Sequence, residues 1–252
     1  MGRARRLPES LGRTAKKGVR TILKRLDLYS DYDQVIPPEI KDDEFYAAIR
    51  TLARTAPVRT VLEIGSSAGE GSTRAFVEGI HENPMRPTLF CMEVSTPRFE
   101  QLKRHYGDDP QVKCYNTTSV PLDRFPSEVE VIEFYRTQNS RLNRVPLKEV
   151  LRWLHQDIRY IAHHGPSANG IRVIKESNGV SEFGIVLIDG SEFTGSAELD
   201  EVYGAEYLLL DDICTFKNFS NYRRLIQDPR YSLMASNQTV RNGYAIFGRR
   251  DH

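Results

Sequence analysis

The run Phe183-Gly184-Ile185-Val186-Leu187-Ile188 is apolar and ends in Asp189-Gly190. A strand with one wet face alternates apolar and polar residues, so a run without alternation is buried on both faces. Strands of that kind belong to parallel sheets with helices packed on either side, and few architectures satisfy that demand. Comparable short runs occur at Val58 to Ile64, Thr88 to Met92, Val112 to Asn116 and Tyr207 to Asp211. Helical periodicity separates them, as in Asp42 to Arg54, where Phe45, Ala48, Ile49 and Leu52 share one face, and in Ala197 to Tyr203. After a helix over Lys217 to Arg230, two strands, Tyr231 to Ala235 and Tyr244 to Gly248, flank an Asn242-Gly243 turn of the hairpin type. The expected fold class is α/β: a doubly wound, seven-stranded, mostly parallel sheet of Rossmann-like type with a C-terminal antiparallel hairpin.

Between the first strand and its helix lies Glu63-Ile64-Gly65-Ser66-Ser67-Ala68-Gly69-Glu70-Gly71-Ser72-Thr73. Gly65 and Gly69 suit a turn that needs positive φ and lets a ligand lie against bare backbone. The helix that follows points free N–H groups and its positive dipole end at the occupant of the turn. The spacing is G-x-x-x-G-x-G rather than the G-x-G-x-x-G of dinucleotide-binding turns, and Glu63 suits an ammonium group better than a pyrophosphate. An ordinary strand-turn-helix with glycines for packing would give the same string.

At these residues the chain resembles class I S-adenosylmethionine-dependent methyltransferases, and Glu-Ile-Gly-x-x-x-Gly looks most like the catechol-type and macrolide-sugar O-methyltransferase branches. The resemblance implies that Glu63 and the turn (Gly65, Ser66, Ser67, Gly69, Ser72) hold the methionine part of the cofactor. It also implies that segments before the first strand cover the cofactor. Glu93, at the end of the second strand, could accept hydrogen bonds from both ribose hydroxyls, or serve as an acid at the start of the next helix. Thr117 and Thr118, at the tip of the third strand, fall where the family contacts adenine, although a plain Ser/Thr turn looks the same.

Asp189, Asp211 and Asp212 end the fourth and fifth strands, at the carboxyl edge where open α/β sheets bind ligands. With no lysine or arginine adjacent in sequence, the three would repel one another unless a cation sits among them; as plain helix caps they would need none. In the resembled branches a magnesium ion is held by an aspartate after the fourth strand and an acidic pair after the fifth, which implies Asp189, Asp211 and Asp212 as metal ligands. Catechol enzymes place a lysine base three residues after the first aspartate. This chain has Glu192 there, so the base stays open among Asp189, Asp212 and Glu192. The expected cofactors are S-adenosylmethionine and Mg2+, and the expected acceptor is a hydroxyl of a small molecule or sugar. Two other readings stay open: a metal-free N- or carboxyl methyltransferase, and a catalytically inactive cofactor-binding interaction module.

The chain of 252 residues has net charge +1 and 27% charged residues, the balance of a soluble globular protein with no general affinity for nucleic acid. No apolar run is long enough to span a bilayer and no signal-peptide pattern follows the basic start, so the expected compartment is cytoplasmic. Three cysteines, Cys91, Cys114 and Cys214, read as reduced core residues. Residues 1–41 are expected to form a basic arm and cap. Its cations, Arg3 to Arg25, suit a peripheral membrane or partner contact, or a solvated tail. Residues 42–252 are expected to form the methyltransferase domain, with a helical insertion at about 126–170 where substrate or homo-oligomer contacts would fall.

Overall fold

The computed structural model describes residue 32, residues 34–164 and residues 168–250. The basic segment of the arm lies outside them. The elements are α1 (Glu44–Thr55), β1 (Thr60–Ile64), α2 (Ser72–Glu82), β2 (Thr88–Glu93), α3 (Thr96–Tyr106), β3 (Val112–Asn116), α4 (Glu128–Thr137), α5 (Leu147–His164), α6 (Gly170–Asn178), β4 (Ile185–Ile188), α7 (Gly195–Val202), β5 (Tyr207–Asp211), α8 (Phe216–Gln227), β6 (Tyr231–Asn237) and β7 (Tyr244–Arg249).

The seven strands form one sheet in the order β3-β2-β1-β4-β5-β7-β6. Its first five strands are parallel, and β7 pairs antiparallel with both β5 and β6. All four residues of β4 are buried, as an unalternating strand requires. One face of the sheet buries Phe45, Ile49, Phe76, Ile80 and Leu102 of α1, α2 and α3; the other buries Ile171, Ile174, Leu199 and Leu225 of α6, α7 and α8. Each such side chain contributes about 1.5–3 kcal/mol by leaving water, which is why helices are needed on both faces.

Because β1 is followed by β2 on one side and flanked by β4 on the other, the winding reverses between β1 and β4, and a crevice opens there at the carboxyl ends of the strands. Val131, Leu142, Val150 and Leu154 of the insertion form a small core with Phe193, from the loop after β4, and the insertion carries α5 back over that crevice. No helix among the described residues is long and apolar enough to cross a membrane. The three cysteines are free thiols.

Candidate active site

The first strand delivers the glycine turn. Gly65 takes φ +91°, and a Cβ on it would lie 2.1 Å from the carbonyl oxygen of Asp189. The Asp189 N–H donates to the Ile64 carbonyl at 3.0 Å, so the ends of β1 and β4 close against each other under the crevice. The Ser67 backbone N–H is turned outward by φ +49° and donates to Glu93 Oε2 at 2.8 Å, while Ser95 N–H donates to Glu93 Oε1 at 2.6 Å. Two backbone donors therefore fix the Glu93 carboxylate at the tip of β2, although burial pushes its pKa up.

A cavity lies above these strand ends. Gly65, Ser66, Ser67, Ser72, Glu93, Thr117, Thr118, Asp189 and Asp212 all line it, so most of the expected site comes together. Ile36 to Ile40, from the segment before α1, line it too, together with Tyr32.

Two turn residues are placed otherwise. Glu63 is fully buried beneath the turn rather than on the cavity wall; its Oε2 accepts from Thr73 Oγ1 at 2.7 Å. Burial raises its pKa, eased by the hydroxyls of Ser72, Thr73 and Ser66; it braces the turn from below, and its Oε1 is buried without a hydrogen-bond partner. Gly69 also faces away from the cavity: its carbonyl accepts from the Tyr106 hydroxyl at 2.9 Å, and a Cβ there would meet the Tyr106 ring at 2.7 Å. Its bareness serves helix packing.

The acids are brought together too, with one oxygen of each of Asp189, Asp211 and Asp212 within 4.8 Å of the others. No cation lies beside them in sequence, yet one of the chain's own stands among them in space. Lys217, in the first turn of α8, places its Nζ 2.8 Å from Asp189 Oδ1 and 2.8 Å from Asp212 Oδ2. Asp211 points elsewhere, off the cavity wall, and accepts from Arg241 Nη2 at 2.7 Å. All three expected metal ligands are thus engaged by cations of the chain. Asp212 is held at φ +56°, a conformation disfavoured for any residue with a Cβ, and its Oδ1 is buried without a hydrogen-bond partner. Glu192 lies just beyond: its Oε2 accepts from Thr215 Oγ1, and it lines an adjoining cavity with Trp153, Gln156 and Asp157 rather than the main one.

Burial pushes Asp189 and Glu192 up to about 7, against the pull of Lys217. Burial raises Asp212, but the charge and hydrogen bond of Lys217 outweigh it and hold the group below the usual range. Lys217 goes the other way, well above an ordinary lysine, since four carboxyl groups outweigh its desolvation. Four acids and two cations leave the cluster negative, and retaining protons near neutrality relieves that.

Sequence reasoning also missed the supports. Glu198 of α7 is fully buried and accepts from Ser119 and Thr194, both on the cavity wall. Asp157, Tyr160 and Ile161 of α5 come from the insertion; Asp157 accepts from Ser191, and burial pushes its pKa up to about 6. Asn218 Nδ2 donates to the carbonyls of Ile188 and Asp211 at 3.0 and 2.6 Å, tying the ends of β4 and β5. We expect Asn218→Ala to cost about 2–3 kcal/mol, because three bonds vanish from a site closed to water, these two and the one its Oδ1 accepts from Asn221 Nδ2 at 2.8 Å. In a thermal melt that is a drop of roughly 4–12 °C in Tm for a chain of this size.

No protein-family profile matches the chain, and no curated protein matches it in sequence. Solved structures are similar to it. An O-methyltransferase from Bacillus cereus in complex with SAH aligns at TM-score 0.54 and 12% identity, covering 92% of this chain and 97% of its own. A candidate O-methyltransferase from Klebsiella pneumoniae aligns at 0.53 and 13%, covering 93% and 97%. A methyltransferase from Geobacter sulfurreducens aligns at 0.50 and 11%, covering 97% and 99%. At such identities the likeness is one of fold, and the chain has the seven-stranded fold of these methyltransferases.

Proposed function

We propose that the protein is an S-adenosylmethionine-dependent O-methyltransferase acting on a hydroxyl of a small molecule. The observation that carries this is the pairing, in one cavity, of a carboxylate at the tip of β2 with a bare glycine turn abutting Asp189 at the tip of β4. Backbone N–H groups and Ser66, Ser67 and Ser72 would take the methionine part, Glu93 the ribose hydroxyls, and Thr117 and Thr118 the adenine edge. Asp189, beside the turn, and Asp212 line the same cavity, and the acceptor would lie against their carboxylates. The likeness in fold to methyltransferases, one of them in complex with SAH, supports the reading.

The transfer is an in-line displacement: the acceptor oxygen bonds to the methyl carbon, the carbon–sulfur bond breaks with its electron pair going to sulfur, and the hydroxyl proton passes to a carboxylate. Asp212, which lines the cavity and has a free Oδ1, is the candidate for that proton, and geometry ranks ahead of pKa in the choice of base. The protein's remaining task is to hold the oxygen on the methyl axis, where orientation alone is worth several kcal/mol. Magnesium does not fit the site as built, since Lys217 bonds two of the ligands and Arg241 the third. No step here calls on it.

Calorimetry with S-adenosylhomocysteine tests the reading without the acceptor. We expect saturable binding, weakened about 10- to 150-fold by Glu93→Gln, which sets an amide against the two backbone donors and removes a charge-assisted acceptor. No binding by the wild type would refute the proposal.

A further inference from the structure

We infer that Lys217 is the cation of this site: its ammonium occupies the place between Asp189 and Asp212 that a divalent ion would need, and it presents a donor to the acceptor oxygen. The inference rests on the transferase reading and deepens it. The Lys217 side chain is 7% exposed, and what shows of it lines the cavity. An ammonium has three N–H donors. Among the described residues two are taken, by Asp189 Oδ1 and Asp212 Oδ2, which leaves one for a ligand. Beside it stands Asp212 Oδ1, also without a partner. A donor and an acceptor side by side, both nearly dry, match a hydroxyl group, whose oxygen accepts from one and whose hydrogen goes to the other.

The placement of Lys217 is not incidental to the helix. A lysine in a first turn faces the positive end of the dipole, an unfavourable position that the carboxylates must offset. Asn218, next to it, fixes the two strand ends whose acids it bridges. During transfer Lys217 keeps its proton and holds the acceptor oxygen; the methyl goes from sulfur to that oxygen and the hydroxyl proton goes to Asp212. A divalent ion placed between the same carboxylates would lie against a fixed positive charge, which repels it.

The test is manganese binding followed by electron paramagnetic resonance on the full-length protein saturated with S-adenosylhomocysteine. The wild type is expected to leave Mn2+ free. Lys217→Met, relieved of its charge, is expected to bind one Mn2+ per chain at least about tenfold more tightly than the wild type. Lys217→Arg is expected to stay free of metal. One Mn2+ bound by the wild type, displaced by Mg2+ and lost in Asp212→Asn, would overturn the inference. So would a folded, nucleoside-binding Lys217→Met that takes up no metal. If Lys217→Met does not fold, the wild-type titration alone decides. Absence of S-adenosylhomocysteine binding in these samples would instead remove the transferase reading, whichever way manganese behaves.

Discussion

Lys217→Met is expected to lower stability by about 3–5 kcal/mol at pH 8, read in a melt as a fall of roughly 6–20 °C in Tm. The methionine fills nearly the same space, so the loss is electrostatic. Asp189, Asp212 and Glu192 are left clustered in a largely buried site without their shared cation, and a buried charge that has lost its partner is costly. The dependence on pH separates this cause from poor packing. Burial already raises Asp189 and Glu192 to about 7, and without Lys217 both rise further while Asp212 turns from lowered to raised. An acid whose pKa is raised by folding binds more protons folded than unfolded, so stability falls as pH climbs from the unfolded value through the folded one. The variant should therefore recover much of its Tm between pH 8 and pH 5. The wild type, whose Lys217 contribution persists until pH passes its own raised pKa, should show the smaller change. Equal deficits at pH 5 and pH 8 would point to packing instead.

Much of this architecture was legible in the chain because burial leaves its mark on composition. The run at β4 has no polar residue and the one at β5 none before its last, since both faces of the sheet are covered; β1 carries Glu63 near its end, and the polar ends coincide with the ligand edge. Glu93, Asp189 and Asp212 could be placed from the strand ends, the turn serines only through the family resemblance of the glycine turn. Whatever depends on packing in space could not. Glu63 and Gly69 sit in the motif, yet one points beneath the turn and the other against Tyr106, because successive residues of a tight turn face different ways. Lys217 was missed since it enters from the helix after β5, five residues beyond Asp212. Its one sequence signal is a cation in a helix's first turn with no acid beside it, which is costly unless carboxylates lie within reach. The residues that α5 brings over the crevice left no signal, since an insertion's docking is set by tertiary contact rather than by local pattern.

Gly65→Ala should be the most damaging single change in the turn. Any L residue at φ +91° is strained, and here the added methyl would stand 2.1 Å from the Asp189 carbonyl oxygen and 2.7 Å from its carbon. Those atoms are backbone, so no rotamer change relieves the clash. Either the β1 turn moves off the β4 tip, or Asp189 gives up the bond from its N–H to the Ile64 carbonyl. The first outcome displaces the Ser67 N–H from Glu93, the second displaces Asp189 from Lys217, and each dismantles one end of the cavity. The expected cost is about 3 kcal/mol or more from strain and overpacking together. Binding of S-adenosylhomocysteine should fall by at least ~100-fold, the equivalent of losing about 2.7 kcal/mol of contact. Calorimetry at a temperature where the variant is still folded separates the two losses. Near-native affinity in Gly65→Ala would mean that the turn does not touch the nucleoside, and that the cavity's glycine edge is a packing device like Gly69.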